Sequence, residues 1–371
     1  MKLLVYTYYP FFDKHLGGGV QTWLRNLLDY INRNYEDVEL TVLCPDSSEY
    51  PFPVDIRVLH EINDLESDYL EPRDIFASHQ IIRNAVDDSD VVWLIDRMLP
   101  FSVNKPCLLS LNAICYRNEI TAFFNSESIP VIVPSNYTRD KLLNIGKDNN
   151  LISTIPYYSD MHLNHVDHET AINVLSKYFK YEESKHYILF PHRPEKDKGH
   201  ALAIEIMQKL TKVSPNYILL IPEPPFSRVD DIVAEKKYID SIKALVKEKK
   251  LSSNVIFHPW IHSEDLSAYY SIGKFTLFLS KLPETFGLSL LNSVLCGTPV
   301  ISYGSGALKE TIPPGNSHFI FNEEDVDGIV KRIINGVTDD SIISDIHFIN
   351  EKYAISSIAE QYVTLIKNMA D

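Results

Sequence analysis

Residues 283–301, PETFGLSLLNSVLCGTPVI, decide the interpretation of this sequence. A β-strand is predicted to end near Ser280 and a helix to begin around Gly287. Gly287 would let a ligand approach the backbone closely, because it carries no side chain. The amides of Leu288 and Ser289 would then point out of the helix N-terminus, which carries about half a positive charge. The segment therefore predicts a site for a phosphate group at a strand–helix turn.

Glu284 lies just before this turn, where its carboxylate could accept hydrogen bonds from the hydroxyls of a sugar. An equally simple interpretation is an ordinary strand–helix turn in which Glu284 only decorates a loop. The segment alone does not decide between these two interpretations.

A second stretch, residues 189–199 (LFPHRPEKDKG), places two cations on one loop. Arg193 follows a predicted strand, at the end where open α/β sheets bind ligands, and Lys198 lies at the start of the next helix. The planar guanidinium and the ammonium could bracket a diphosphate between them. The alternative is a solvated run of charges without a ligand.

The same order of elements recurs through both halves: a short apolar run, a turn and a helical pattern. Strands are predicted at Leu3–Tyr9, Glu39–Cys44, Asp55–Leu59, Val91–Ile95, Cys107–Leu111, Val131–Val133 and Ile152–Ile155, then at Tyr187–Phe190, Tyr217–Ile221, Val255–His258, Phe275–Leu279 and Pro299–Ser302. A polar segment, roughly residues 160–186, separates the halves. Ser135 is predicted to cap a helix over Tyr137–Ile145. The alternation predicts an α/β fold with two Rossmann-like domains facing a central cleft, and a last helix, Ser356–Met369, that packs back across it.

Composition excludes several classes of protein. The 371 residues include 35 basic and 50 acidic side chains, for a formal net charge of −15. The contents of 45% hydrophobic and 23% charged residues are those of a globular chain, not a disordered or fibrous one. Nucleic acid binding needs a basic face, so it is not expected. The acidic N-terminal half also argues against broad adhesion to anionic lipid, although it leaves room for a small peripheral membrane contact.

The chain is expected to be cytoplasmic. Its longest apolar stretches are strand-sized and fall far short of the ~18 residues of a membrane span. The N-terminus turns polar too soon for a secretory signal. The four cysteines, Cys44, Cys107, Cys115 and Cys296, lack a paired spacing, which suits buried thiols in a reducing compartment.

Taken together, these stretches resemble the retaining glycosyltransferases of family 4, which have the GT-B fold. The resemblance covers nearly the whole chain and is strongest from Tyr187 to Ile334. It is carried by Arg193…Lys198-Gly199 (with Pro194 in place of the family's Leu), residues 255–269 (VIFHPWIHSEDLSAY), Glu284-Thr-Phe-Gly287, Gly304–Glu310, Gly315–Phe321 and, in the first half, Pro134–Leu142.

The resemblance implies an acceptor-binding Rossmann-like domain over residues 1–165, a nucleotide-sugar-binding Rossmann-like domain over 166–350, and a C-terminal helix over 351–371 that crosses back. It implies metal-independent transfer of a sugar, with retention, from a nucleoside diphosphate sugar to a hydroxyl of a glycan or lipid-linked glycan, without a cofactor. Polysaccharide or glycoconjugate biosynthesis is the expected setting. The implied catalytic set is Glu284, Arg193, Lys198 and Asn112, and the implied donor-binding set is Gly18, Gly19, Arg193, Lys198, Glu284, Phe286, Gly287, Leu288 and Asn292.

Two positions depart from the family pattern. Asn292 stands where the family has a second Glu that contacts the nucleotide ribose, so a neutral amide replaces a charged acceptor. Asn112 stands where the family usually has a His near the reacting face of the sugar, and an amide cannot titrate near neutral pH. Asp96 and Arg117 are nearby charged residues that could substitute in some role, although a structural salt bridge is the commoner explanation.

Three other patterns are weaker. The imidazoles of His162, His165 and His168 could bind zinc, but no fourth ligand is evident. The sequence Asp88-Ser-Asp90 imitates a metal-binding motif of a different glycosyltransferase fold, and is predicted to be a loop and strand cap. Residues 17–19, three glycines, offer free amides but lack the spacing of a dinucleotide or Walker loop.

Two alternatives to an active transferase stay open at this point. The replacements at Asn112 and Asn292 are compatible with a degenerate relative that binds a sugar nucleotide, or partners an active subunit, without turnover. A GT-B enzyme of other chemistry, such as a sugar-nucleotide epimerase or a phosphorylase, is the second alternative.

Overall fold

The structure is a computed structural model that describes residues 1–7, 19–44, 55–58, 72–99, 101–112, 128–159, 163–223, 229–313, 319–322 and 325–370. The chain divides into two compact units. The N-terminal unit comprises Met1–Tyr158 together with Tyr353–Asp371, and the C-terminal unit comprises Ser159–Lys352. None of the described helices combines the length and the apolar composition that a membrane span requires.

The N-terminal unit is built on a seven-stranded parallel sheet. Its strands are β1 (Lys2–Thr7), β2 (Glu39–Cys44), β3 (Asp55–Val58), β4 (Val91–Ile95), β5 (Cys107–Ser110), β6 (Val131–Val133) and β7 (Ile152–Thr154), and its first helices are α1 (Gly19–Asn34), α2 (Pro72–Asp87) and α3 (Asn136–Asn144). The order across the sheet is β3-β2-β1-β4-β5-β6-β7. The central strand β4 is a run of apolar side chains that are all buried, as expected for a parallel strand covered on both faces.

The C-terminal unit is built on a six-stranded parallel sheet. Its strands are β8 (His186–Leu189), β9 (Tyr217–Pro222), β10 (Val255–His258), β11 (Gly273–Phe278), β12 (Val300–Ser302) and β13 (Phe319–Ile320). Its helices are α4 (His168–Leu175), α5 (His200–Val213), α6 (Val229–Glu248), α7 (Leu266–Ser271), α8 (Leu288–Leu295), α9 (Leu308–Thr311), α10 (Val326–Asn335) and α11 (Asp339–Lys352). The order across the sheet is β10-β9-β8-β11-β12-β13.

The strands agree with the sequence predictions to within a few residues, and the predicted cap of α3 is also present. The hydroxyl of Ser135 accepts a hydrogen bond from the amide of Thr138 at 3.2 Å. Several elements were not predicted, and two of them have a clear physical reason. Helix α4 lies inside the segment described as polar, because Ala171 and Leu175 form a short apolar stripe. Strand β13 is only two residues long, below the length at which a periodicity can be recognised.

The last helix, α12 (Ile355–Ala370), packs back on the N-terminal unit, which confirms that expectation. Its buried positions recur at helical spacing and include Ile358, Tyr362 and Ile366. The ring of Tyr362 lies 5.0 Å from that of Trp93 on β4 and 5.9 Å from that of Trp23 on α1. Burial raises the pKa of Tyr362 far above its ordinary range, so the hydroxyl stays neutral.

We expect Tyr362→Ala to lower the free energy of unfolding of the N-terminal unit by about 3–5 kcal/mol, because it leaves a cavity beside the rings of Trp23 and Trp93. The matched control is Thr364→Ala on the exposed face of the same helix, with a change within about 0.5 kcal/mol. Urea titration followed by tryptophan fluorescence measures both, since two of the three tryptophans, Trp23 and Trp93, lie in this unit. Equal effects of the two substitutions would contradict the packing role of Tyr362.

Candidate functional site

The candidate site of the C-terminal unit lies where the order of its strands reverses. From β8 the chain proceeds outward in one direction through β9 to β10, and on the other side of β8 through β11 to β13. In open parallel sheets the loops at the carboxyl ends of the two strands that flank such a reversal leave a crevice that binds ligands. The two stretches singled out in the sequence follow β8 and β11, so the fold brings them together.

The loops after β8 and β11 contact each other directly. The amide of Lys281 donates to the carbonyl of Asp197 at 2.9 Å. The ammonium of Lys198 lies 3.1 Å from Oε1 of Glu284, with both side chains only partly exposed. Gly199 has a φ of +90°, and a Cβ there would lie 2.5 Å from the carbonyl oxygen of Leu279, so only glycine fits. These contacts hold the two predicted site residues, Lys198 and Glu284, side by side.

Arg193 carries a charge that no acid neutralises among the residues that the structure describes. Its guanidinium carbon lies 5.9 Å from the ring centroid of Trp260, which follows β10. A cation at this distance is attracted by the aromatic ring, and the ring, unlike a carboxylate, does not neutralise its charge. The guanidinium is therefore available to an anionic ligand at the carboxyl end of β8.

The start of α8 has the geometry predicted for an anion site. Gly287, its N-cap, has a φ of +99°, and a Cβ there would lie 2.3 Å from Cδ2 of Leu308. The amide of Leu290 is bonded to the carbonyl of Gly287 at 3.0 Å, whereas the amides of Leu288 and Ser289 precede any intrahelical acceptor. Phe286, directly before this turn, is buried.

Asn292 lies on α8, half-buried, and its side-chain amide makes no hydrogen bond to the part of the chain that the structure describes. Its carbonyl accepts the helical hydrogen bond of Cys296. The amide is thus free to bind a ligand group, as the resemblance implies for this position.

Asn112 is predicted as a catalytic residue, and it belongs to the N-terminal unit, where it is buried in a polar network. Its backbone amide and Nδ2 donate to the two carboxylate oxygens of Asp96 at 2.6 and 2.7 Å. Its Oδ1 accepts from the hydroxyl of Tyr157 at 2.7 Å. Asp96 is fully buried at the end of β4 and has a φ of +55°, which is uncommon for a residue with a side chain. Within the described part of the chain, Nδ2 of Asn112 donates only to Asp96, and the catalytic role of Asn112 stays a prediction.

Other sequence predictions have the following positions. Asp88 pairs with the ammonium of Lys2 at 3.0 Å and Asp90 accepts from the amide of Lys2 at 2.7 Å, so both tie the start of β1. His165 contacts the carbonyl of Cys296, and the described residues contain no group of three potential metal ligands. Gly19 is the first residue of α1. The predictions for Gly17, Gly18, Cys115, Arg117 and His162 fall outside the described residues.

Comparison with known proteins identifies the family. Residues 175–353, nearly all of the C-terminal unit, match the profile of the family described as Glycosyl transferases group 1. The matched segment is slightly less than half of the chain. The predicted membership of a glycosyltransferase family, and with it the class of transferase, is confirmed, although the narrower assignment to family 4 is only loosely supported.

Solved structures confirm the fold. Sucrose-phosphate synthase from Thermosynechococcus elongatus superposes with a TM-score of 0.76 at 16% identity, covering 99% of this chain and 98% of that one. HepE from Anabaena, in complex with UDP and glucose, superposes with a TM-score of 0.75 at 14% identity, covering 99% and 100%. The predicted GT-B fold, with a parallel α/β sheet in each unit, is therefore correct.

A curated relative also matches part of the chain. It is described as an uncharacterized 41.2 kDa protein in the cps region of Klebsiella pneumoniae, and is 29% identical over 171 residues. The match covers 46% of this chain and 40% of that relative, so the chain spans less than half of the curated relative's length in the match.

Sequence reasoning overlooked Trp260 and Tyr157, which contact the predicted residues Arg193 and Asn112. A signal for Trp260 was present, since it follows β10 closely at the edge of the parallel sheet where ligands bind. Its contact with Arg193 reaches past β9, which lies between β10 and β8. Tyr157 is 45 positions from Asn112 in the chain, and no local pattern connects the two.

Three imidazoles in the glycosyltransferase segment are buried and neutral. Burial lowers the pKa of His192 to about 3, and that of His200 and His258 to about 4. Nε2 of His192 lies 3.2 Å from the carbonyl of Leu277 and so fixes the loop after β8 to β11. His200 packs edge-on against Phe190 at the other end of that loop.

We expect the C-terminal unit to lose stability as the pH falls from about 6.5 to about 4. In this range the unfolded chain protonates these imidazoles and the folded chain does not, so each can cost up to about 1.4 kcal/mol per pH unit. Above pH 7 both states are neutral and the dependence vanishes. Urea titrations at pH 5.0, 6.0 and 7.5 measure the slope.

The variant His200→Phe removes one titration and should reduce the loss of stability between pH 7.5 and 5.0 by about 2 kcal/mol. His347→Phe, at an exposed position of the same unit, is the control for the replacement of a histidine by phenylalanine. A wild-type stability that is independent of pH below 6.5 would show that the buried imidazoles are not neutral.

Proposed function

We propose that the protein transfers a sugar, with retention of configuration, from a nucleoside diphosphate sugar to a hydroxyl of a glycan or lipid-linked glycan. The observation that supports this most strongly is the convergence of Arg193, Lys198 and the N-terminus of α8 at the reversal point of the parallel sheet. Two cations and a helix N-terminus at one strand edge fit a diphosphate.

In this reaction the bond between the anomeric carbon and the diphosphate oxygen breaks, and a bond from that carbon to the acceptor oxygen forms. Negative charge develops on the leaving diphosphate, and its stabilisation is the main contribution of the protein. Arg193 supplies a planar pair of donors, Lys198 a point charge, and Leu288 and Ser289 their backbone amides. The acceptor's proton passes to the leaving phosphate oxygen, so no titratable side chain is needed at Asn112.

Glu284 would hold the donor sugar through its hydroxyls. Its pairing with Lys198 supports this role, because the contact places the carboxylate beside the group that would bind the phosphate. Asn292, one turn into α8, would contact the ribose with its free amide. We further propose that the donor-binding domain covers residues 166–350 and the acceptor-binding domain residues 1–165.

The biological setting is part of the proposal. The Klebsiella relative is described by its place in a cps region, and this supports a role in polysaccharide biosynthesis. HepE is described in complex with UDP and glucose, which supports a nucleoside diphosphate as the leaving group. We propose transfer in the cytoplasm, without a divalent metal, to an acceptor at or near the inner face of the membrane.

One observation favours a second candidate. Three polar groups of Asn112 are hydrogen-bonded to Asp96 and Tyr157. This is compatible with a structural role for Asn112, in a protein that binds a sugar nucleotide without turnover. Slow hydrolysis of the donor in the absence of an acceptor distinguishes the two candidates, because a pure binding protein would not catalyse it.

The test of the proposal is a thermal-shift panel of UDP-, GDP-, ADP- and dTDP-sugars. A ligand that binds only the folded protein stabilises it by about 2.7 kcal/mol at a concentration 100 times its Kd. At least one donor should raise the melting temperature, whereas the corresponding free sugar should not. A panel in which every donor leaves the melting temperature unchanged would overturn the proposed substrate class.

We expect Arg193→Ala and Lys198→Ala each to slow transfer by raising its activation free energy by about 2–4 kcal/mol. Each substitution removes one positive charge that would stabilise the leaving diphosphate. Lys196→Ala is the matched control, because Lys196 lies on the same loop with an exposed side chain. Its kcat/KM should stay within about twofold of the wild type. Transfer by both Arg193→Ala and Lys198→Ala at the wild-type rate would remove these residues from the site.

Asn292→Glu is expected to tighten donor binding, because hydrogen bonds to a charged acceptor contribute about 1.5–3 kcal/mol against about 1 for neutral ones. Asn292→Ala should weaken binding by about 1 kcal/mol. Calorimetric titration of both variants with the best donor measures the two changes. Weaker binding by Asn292→Glu would mean that this position does not face the ribose.

A further inference from the structure

The segment that carries Glu284 is held from one side by the turn at residues 304–307. The hydroxyl of Ser305 lies 2.9 Å from the carbonyl of Leu282 and 3.2 Å from that of Ser280, and can donate to either. The turn itself is closed by a hydrogen bond from the amide of Gly304 to the hydroxyl of Ser302 at 3.0 Å. Ser305 therefore connects this turn to the first half of the loop after β11.

The same turn fixes the backbone of Glu284. Residues Glu284 and Gly306 form an isolated parallel bridge, and the amide of Ala307 donates to the carbonyl of Glu284 at 2.8 Å. Gly306 has a φ of +65°, and a Cβ there would lie 2.3 Å from the carbonyl oxygen of Glu284. The approach of the two backbones thus requires glycine at position 306.

Packing contributes little to the position of this loop. Residues 281–283 are exposed, and Leu282 has 44% of its surface accessible to solvent although it is apolar. The loop is instead held by polar contacts: the amide of Lys281 to Asp197 on one side, and on the other Ser305 together with the backbone contacts of Gly306 and Ala307 to Glu284. Loss of one of these contacts should therefore change the position of the carboxylate of Glu284 without disturbing the core.

We propose that Ser305 is a positioning residue for Glu284, and that its hydroxyl affects recognition of the donor sugar more than binding of the diphosphate. This inference rests on the proposed function. Within the described part of the chain, the hydroxyl of Ser305 is hydrogen-bonded to the segment before Glu284 and not to Arg193 or the start of α8, so the ion pair of Lys198 with Glu284 is the direct link between the two halves. Ser305 needs no contact with the substrate for this role.

The experiment compares the affinity of a sugar nucleotide with that of its own nucleoside diphosphate. UDP-glucose and UDP are the first probes, replaced by the best donor of the panel and its diphosphate where another nucleotide binds more tightly. Calorimetric titration is carried out on the full chain with Ser305→Ala, with Ser305→Thr, which keeps the hydroxyl, and with Ser241→Ala. Ser241 is the matched control, since its hydroxyl donates to the carbonyl of Tyr238 on α6.

Ser305→Ala should lower the affinity for the sugar nucleotide about 3- to 10-fold, which corresponds to the loss of one or two neutral hydrogen bonds. The affinity for the nucleoside diphosphate should change less than about twofold. Ser305→Thr should restore the wild-type ratio, and Ser241→Ala should leave it unchanged. In a Glu284→Ala background, Ser305→Ala should have no further effect on that ratio, because the group that it positions is gone.

Equal weakening of both ligands by Ser305→Ala, or no change in either, would overturn the inference. An undiminished effect of Ser305→Ala in the Glu284→Ala background would also overturn it, since Ser305 would then act through another group. A wild-type protein that binds no sugar nucleotide and no nucleoside diphosphate contradicts the proposed function, and is distinguished from these outcomes before any variant is made.

Discussion

The close approach of the loops after β8 and β11 is the constraint on which the candidate site depends. It exists because Gly199 has no side chain at a point where a Cβ would collide with the carbonyl oxygen of Leu279. Once the two loops touch, Lys198 reaches Glu284 and the amide of Lys281 reaches Asp197. A larger residue at position 199 would separate the loops and also strain the backbone, since the φ there is +90°. The close approach of the two backbones is thus the condition that allows the charged side chains of the site to meet.

The fold was largely predictable because its signals are local. Parallel strands covered on both faces are short apolar runs such as Val91–Ile95, and the cap of α3 requires only Ser135 in the right place. The exceptions have physical reasons, since α4 has a narrow apolar stripe within a polar segment and β13 is too short to show a period. The sequence also indicated that the candidate site residues lie at strand ends, where parallel sheets bind ligands.

What the sequence could not indicate is which residues support the site residues. Ser305 is more than twenty positions from the loop that it holds, and Tyr157 is 45 positions from Asn112. Such contacts follow from the crossing of loops in space, for which a single sequence has no periodic signal. Asn112 is the clearest case. A resemblance places it at the reacting face of a sugar, whereas the structure shows that much of its hydrogen-bonding capacity is spent on Asp96 and Tyr157.

The return of α12 to the N-terminal unit has a consequence for the synthesis of the chain. The N-terminal unit is formed by segments from both sides of the C-terminal unit in the chain, so on the ribosome its sheet emerges long before Tyr362. Domains generally fold as units during translation, the first one first. Here the N-terminal unit lacks the contacts of Tyr362 with Trp23 and Trp93 until α12 has been synthesised. The C-terminal unit is one uninterrupted segment, so all of its residues have been synthesised before that point. The unit that is translated second can therefore finish folding before the one that is translated first.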